Sequence, residues 1–132
     1  MSGVEEYVVT DPVTVTADAD VYTAVHLILS NQVSGVVVVD DDGKLIGMLS
    51  ELDCLRAMVT SVYNGGDPGG ALVGDIMIKD VEVNQLSEDI LAVASSMLDH
   101  SHRRRPVMDE QGKLTGQITC RQILKAVTKY EE

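Results

Sequence analysis

Val36-Val37-Val38-Val39-Asp40-Asp41-Asp42-Gly43-Lys44-Leu45-Ile46-Gly47 reads as strand, tight turn and second strand. Four β-branched residues suit a buried strand. Asp-Asp-Gly suits a turn, and Leu45 to Leu49 resumes the apolar pattern. The stretch decides the fold because it occurs twice. A shift of 69 residues lays 18–59 on 87–128 without a gap and leaves ten identities. Asp20 meets Asp89, Leu29 meets Leu98, Val38 meets Val107 and Asp40 meets Asp109. Gly43-Lys44-Leu45 meets Gly112-Lys113-Leu114, Gly47 meets Gly116, Leu55 meets Leu124 and Ala57 meets Ala126. Two copies of one small unit are the inference.

Outward from that hairpin, each copy reads alike. Val13-Thr14-Val15 and Val81-Glu82-Val83 alternate as short strands. Val21, Ala24, Val25, Ile28 and Leu29 make one apolar helix face, and Ile90, Val93, Ala94, Met97 and Leu98 repeat it. A closing helix puts Leu55, Met58, Val59 and Val62 on one face, and its counterpart has Ile123, Val127 and Tyr130. The unit is β-α-β-β-α. One copy is too small to bury its sheet well, so two pseudo-symmetric copies are expected to pack through their sheets. The expected boundaries are 1–62 for the first repeat, 63–73 for a Gly-rich linker and 74–132 for the second. Asn64-Gly65-Gly66-Asp67-Pro68-Gly69-Gly70 lacks the Gly-Lys-Ser/Thr ending of a phosphate loop and reads as a connector.

Composition narrows the function. Lys plus Arg is 10 and Asp plus Glu is 21, a net charge of −11 in 132 residues. So acidic a surface repels phosphate backbones and anionic membranes, so no nucleic-acid and no membrane partner is expected. Trp and Phe are absent and Tyr numbers only four, which gives base stacking on an aromatic platform poor support. No apolar run approaches the roughly 20 residues of a membrane span. An acidic start, Met1 to Glu6, and two cysteines outside any disulfide framework fit a cytoplasmic setting. Cys54 and Cys120 read as small, partly buried side chains. His26, His100 and His102 lack metal-ligand spacing, and Asp40-Asp41-Asp42 reads as a solvated turn, so no metal is expected. No nucleophile motif and no catalytic acid pair appears, so an enzyme is not expected.

The chain resembles a tandem pair of CBS (cystathionine-β-synthase-type) domains, a Bateman module, from Val8 to Tyr130. The resemblance rests on Asp75-Ile76-Met77, on Val36 to Asp40 with Asp42 to Gly47, and on Pro106-Val107-Met108-Asp109 with Gly112 to Gly116. It implies a ligand cleft between the repeats for an adenine nucleotide (AMP, ADP or ATP) or S-adenosylmethionine as regulatory ligand. It also implies a homodimer and an effector protein that reads ligand occupancy.

Carried residue by residue, the family's Ser/Thr-x-x-Asp motif falls on Ser50-Glu51-Leu52-Asp53. The resemblance gives Asp53 the ribose hydroxyls and places Ser50 near the phosphates. Lys79, Asp80 and Val81, with His102, Arg103, Arg104 and Pro106, would complete that site. The residues also have a plainer reading: Ser with an acid three positions on is a helix cap. In so acidic a chain, however, His102-Arg103-Arg104-Arg105 is the one dense cationic run. Strand alternation would put Arg103 and Arg105 on one face. A weaker second site would use Thr10, Val13, Ser34, Gly35, Thr119 and Gln122, with Gln122 where Asp is expected and no cation in its completing segments. Glu51 and Asp80 are unfavourable beside phosphates and favour an uncharged or cationic adenosyl ligand. Against this sensor stands a ligand-free dimerisation or protein-interaction module, which the same apolar helix faces would serve.

Overall fold

The computed structural model describes residues 3–130, the side chain of Tyr130 excepted. Two compact units divide the chain: Val13–Val81, and the N-terminal segment to Pro12 with the chain from Glu82 onward.

In the Val13–Val81 unit, β1 (Thr14–Thr16) lies parallel to β2 (Gly35–Val39), and β2 pairs antiparallel with β3 (Leu45–Ser50). The helix α1 (Val21–Asn31) makes the crossover that parallel pairing requires. Asp20 caps it by accepting from the Thr23 N–H. The hairpin turns at Gly43, whose φ of +79° suits glycine. Asp40 closes that turn by accepting from the Asp42 and Lys44 N–H groups, both at 2.9 Å. The acidic run is therefore a solvated turn built around one carboxylate. After α2 (Glu51–Tyr63) comes α3 (Val73–Ile76), a short helix the apolar pattern did not announce. Its Val73 joins Val15, Val21, Ile28, Val36, Val38, Leu49 and Cys54 in the core.

The other unit repeats this order with β4 (Asn84–Gln85), α4 (Ile90–His100), β5 (Arg104–Met108), β6 (Leu114–Thr119) and α5 (Cys120–Tyr130). Its sheet order, β4-β5-β6, and the bulge before the last strand pair match the first sheet. Asp109 closes its turn through the Gln111 and Lys113 N–H groups, as Asp40 does. A 3-10 turn at Val4–Glu6 belongs here: the Val4 N–H donates to Glu88 O at 2.9 Å and Val4 is fully buried.

Three expectations need correction. The strand foreseen at Val81-Glu82-Val83 forms at Asn84–Gln85 instead, because its ladder to Val107 and Met108 starts there. Of the face Leu55, Met58, Val59, Val62 only Met58 packs against the core; α2 buries Cys54, and Leu55, Val59 and Val62 stay exposed. Third, Arg105 does not share a face with Arg103: Arg103 precedes β5, which begins at Arg104, and is exposed, whereas Arg105 is 2% exposed. Tyr130, expected beside Ile123 and Val127, has its side chain outside the described residues.

Candidate functional site

The Ser50–Asp53 motif opens α2 where β3 ends. Ser50 Oγ accepts from the Asp53 N–H at 3.0 Å, and Asp53 Oδ2 accepts from the Ser50 N–H at 2.9 Å. This reciprocal pair is a capping box. It uses one carboxylate oxygen. The other, Oδ1, lies 3.6 Å from an Arg56 guanidinium nitrogen. Asp53, Arg56, Thr60, Ser61, Ile76 and Ile78 line a cavity of about 340 Å³. Ile78 reaches this place because it pairs with Met48 of β3, N–H to carbonyl in both directions at 2.8 and 2.9 Å. That pairing brings in the segment that continues through Lys79 and Asp80, both exposed, to the half-buried Val81. Glu51 stands apart from this cavity: it lines a groove between α1 and α2 with Val25, Leu29 and Leu55. Its carboxylate is therefore not a wall of the Asp53 cavity. Ser34 and Gly35 border the same helix start, for Gly35 pairs with Ser50 and the Glu51 N–H donates to Ser34 O at 2.9 Å. Val13 is half-buried just before β1. Burial, and then the Asp53 charge, push the Cys54 thiol above its ordinary value, which marks an inert core cysteine.

His102, Arg103, Arg104 and Pro106 lie in the other unit. Arg103 is exposed, Arg104 half-buried and Pro106 buried in β5. The Cys120 N–H donates to Arg103 O at 2.9 Å, fixing this segment at the start of α5. There Thr119 Oγ1 accepts from the Gln122 N–H at 3.3 Å. Val9 pairs with Gln117 as Ile78 pairs with Met48, and Thr10 follows it, exposed. Each unit thus gathers the same three pieces: a capped helix start, the segment before the middle strand, and an edge segment on the last strand.

Sequence reasoning missed some cations. Arg56 lines the first cavity. In the other unit Arg121, Lys125 and Lys129 line a cavity of about 680 Å³ with Gln122 and Tyr7, and Lys129 Nζ sits 6.0 Å from the Tyr7 ring centre. Their four-residue spacing on α5 was the signal. Arg105, too, was misplaced. Its Nε donates to His102 Nδ1 at 3.1 Å and its Nη1 to Ser96 Oγ at 2.9 Å.

With this geometry in view, the comparisons are direct. The CBS domain model matches the chain twice, at residues 4–60 and 73–129. The chain belongs to the CBS domain family. Inosine-5′-monophosphate dehydrogenase of Halalkalibacterium halodurans is 34% identical over 124 residues, covering 93% of this chain and 24% of the enzyme. The chain spans 24%, 41% and 56% of the length of three curated relatives it matches. Among solved structures, CBSX2 of Arabidopsis thaliana gives a TM-score of 0.84 at 25% identity over 98% of this chain and 96% of that one. CBSX2 in complex with AMP gives 0.85 at 24% identity, covering both chains fully at 100%. The CBS domain pair of protein MJ0100, in complex with 5′-methylthioadenosine and S-adenosyl-L-methionine, gives 0.83 at 19% over 98% of each. The last two likenesses establish the fold alone.

Proposed function

We propose that this chain is a regulatory CBS pair that binds an adenosyl ligand, AMP, ADP, ATP or S-adenosylmethionine, and passes its occupancy to a partner protein or a second copy of the chain. The observation that carries the reading is the division of labour at Asp53. Oδ2 caps α2, while Oδ1 lies 3.6 Å from an Arg56 guanidinium nitrogen, and both residues line one cavity. A carboxylate oxygen only accepts hydrogen bonds, and a ribose diol supplies two donors. In this reading Asp53 takes the ribose, with Ser50, Lys79, Asp80 and Val81 around it. His102, Arg103 and Arg104, on the segment that leads into Pro106, take the phosphates. Thr10, Val13, Ser34, Gly35, Thr119 and Gln122 form a second, weaker site. AMP in CBSX2 and the two adenosyl compounds in MJ0100 are what those proteins hold, and they set the compounds to try first.

The test is thermal. A ligand at about 100 times its dissociation constant stabilises by roughly 2.7 kcal/mol. The melting temperature should rise with at least one of AMP, ADP, ATP and S-adenosylmethionine, and the rise should shrink in Asp53→Ala. No rise with any of the four removes the reading.

A second reading, a ligand-free dimerisation or interaction module, draws on a separate observation. Leu29, Leu98 and Leu124 are 70%, 80% and 67% exposed on the helices. Sedimentation that shows a dimer unaffected by adenosyl compounds would favour it.

A further inference from the structure

Arg105 is an unusual core residue. The 69-residue shift puts it at the position of Val36, and it is as buried as that valine, at 2% against 1%. An arginine stays charged at any ordinary pH. Among the described residues no carboxylate lies within 4 Å of it. Its charge is solvated by neutral acceptors, His102 Nδ1 at 3.1 Å from Nε and Ser96 Oγ at 2.9 Å from Nη1, with His100 Nδ1 3.3 Å from Nη2. The imidazoles stack, with centres 5.3 Å apart.

The arrangement dictates protonation. His102 Nδ1 accepts only while unprotonated, so the ring is neutral with its proton on Nε2. A second proton on His102 would set N–H against N–H and add a cation beside a buried guanidinium. His100 Nδ1 also lies 2.8 Å from the Ser96 carbonyl, and its Nε2 lies 3.9 Å from Glu82. At 2.8 Å from a carbonyl His100 Nδ1 is a donor, so Arg105 does not rely on it; among the described residues the His102 ring has Arg105 as its one side-chain hydrogen-bond partner.

We propose that Arg105 and His102 form a proton-operated latch: neutral His102 holds the buried guanidinium and with it the side-chain packing of the His102–Arg104 segment on α4. Protonation breaks that side-chain hold and shifts the segment about its remaining backbone anchors, His102 N–H to Met97 O and Cys120 N–H to Arg103 O. The groups facing His102 act in a consistent direction. Burial first, then Arg105 and His100, lower its proton affinity, and Glu82 of the segment before β4 opposes them. From α5, Cys120 approaches the His102 carbonyl, with Sγ to O at 3.7 Å. The sign follows. The folded group binds its proton below the unfolded value of about 6.5, so stability is full above that value and falls as pH drops from it toward the folded value. The latch carries Arg103 and Arg104, so it makes anion binding pH-sensitive; that consequence, unlike the latch, rests on the nucleotide reading above.

The test is an amide and imidazole NMR titration of the full chain without ligand, from about pH 7.5 to about pH 5. The Arg103, Arg104 and Cys120 amides should move together with the His102 ring, with a midpoint below that of an ordinary histidine, while the Ser50 and Asp53 amides stay still. His102→Asn keeps an acceptor near Nδ1 that cannot titrate, and should flatten the movement. Amides that ignore the His102 ring, or move unchanged in His102→Asn, overturn the latch. In a second arm AMP is titrated at both ends of the range. The unmodified chain should lose about threefold to tenfold more affinity on acidification than His102→Asn, the worth of one hydrogen bond. Equal losses overturn the coupling. Absence of AMP binding at neutral pH counts against the nucleotide reading and leaves the latch to be decided by the amides.

Discussion

Asp53 caps its helix through Oδ2 and keeps Oδ1 beside Arg56 with the same carboxylate. Removing it should therefore have two separable effects. Asp53→Ala should cost about 1 kcal/mol in urea unfolding through the lost cap, and Ser50→Ala a similar amount. Only the first should remove the oxygen proposed for the ribose. Asp20 offers a simpler case. The Thr23 backbone N–H, and then its hydroxyl, hold the Asp20 carboxyl below its ordinary value of 3.8. Its contribution is present above 3.8 and is lost as pH falls through the lower folded value. Asp20→Ala should flatten the acid limb of a stability–pH curve. At this scale the sequence was half legible. Ser-x-x-Asp announced both a cap and a site, and the structure uses it as a cap. The arginine run misled, because alternation could not show that Arg103 precedes the strand. Ser96 and His100, one turn apart on α4, were the overlooked sign of a polar group beneath them.

Between residue and molecule stand the edge segments. Met48 with Ile78, and Gln117 with Val9, are the same bridge in two copies, since 117 − 48 = 69 and 78 − 9 = 69. Glycine is needed at both crossings. A Cβ on Gly47 would lie 2.6 Å from Met77 Sδ and 2.9 Å from Ile78 O, and one on Gly116 would strike Val9 O. Gly116→Ala should cost about 1–3 kcal/mol, read by chemical unfolding, and loosen the N-terminal segment. Val4→Ala should cost about 2 kcal/mol, because its side chain is fully buried beside Ile90 and Val107. If Val4→Ala proves neutral, the N-terminal segment does not belong to that core. The hairpins and the paired helices were legible, since their periodicities are strong and doubled. The edge segments were not, because pairing with a distant strand leaves no local pattern. Nor was the two-residue β4, where Asn84 is buried and donates from Nδ2 to Glu88 instead of repeating the apolar Val15.

For the whole molecule the 69-residue repeat announced two copies of one unit, and the resemblance carried by Asp75-Ile76-Met77 and the two hairpin motifs agrees with the family match over 4–60 and 73–129. Charge acts globally as well. At −11 the folded chain repels itself, so moderate salt should raise its melting temperature. The functional account rests on the proposed roles of Asp53 at the ribose and Arg103 at the phosphates. Calorimetric titration of AMP into the unmodified chain, Asp53→Ala, Arg103→Ala and the double variant tests that most directly. Each single change should weaken binding by about one to two decades, as a lost charge-assisted contact does. The double variant should show the two losses coupled through the shared nucleotide. Undiminished affinity in both single variants, each still folded, would contradict the account.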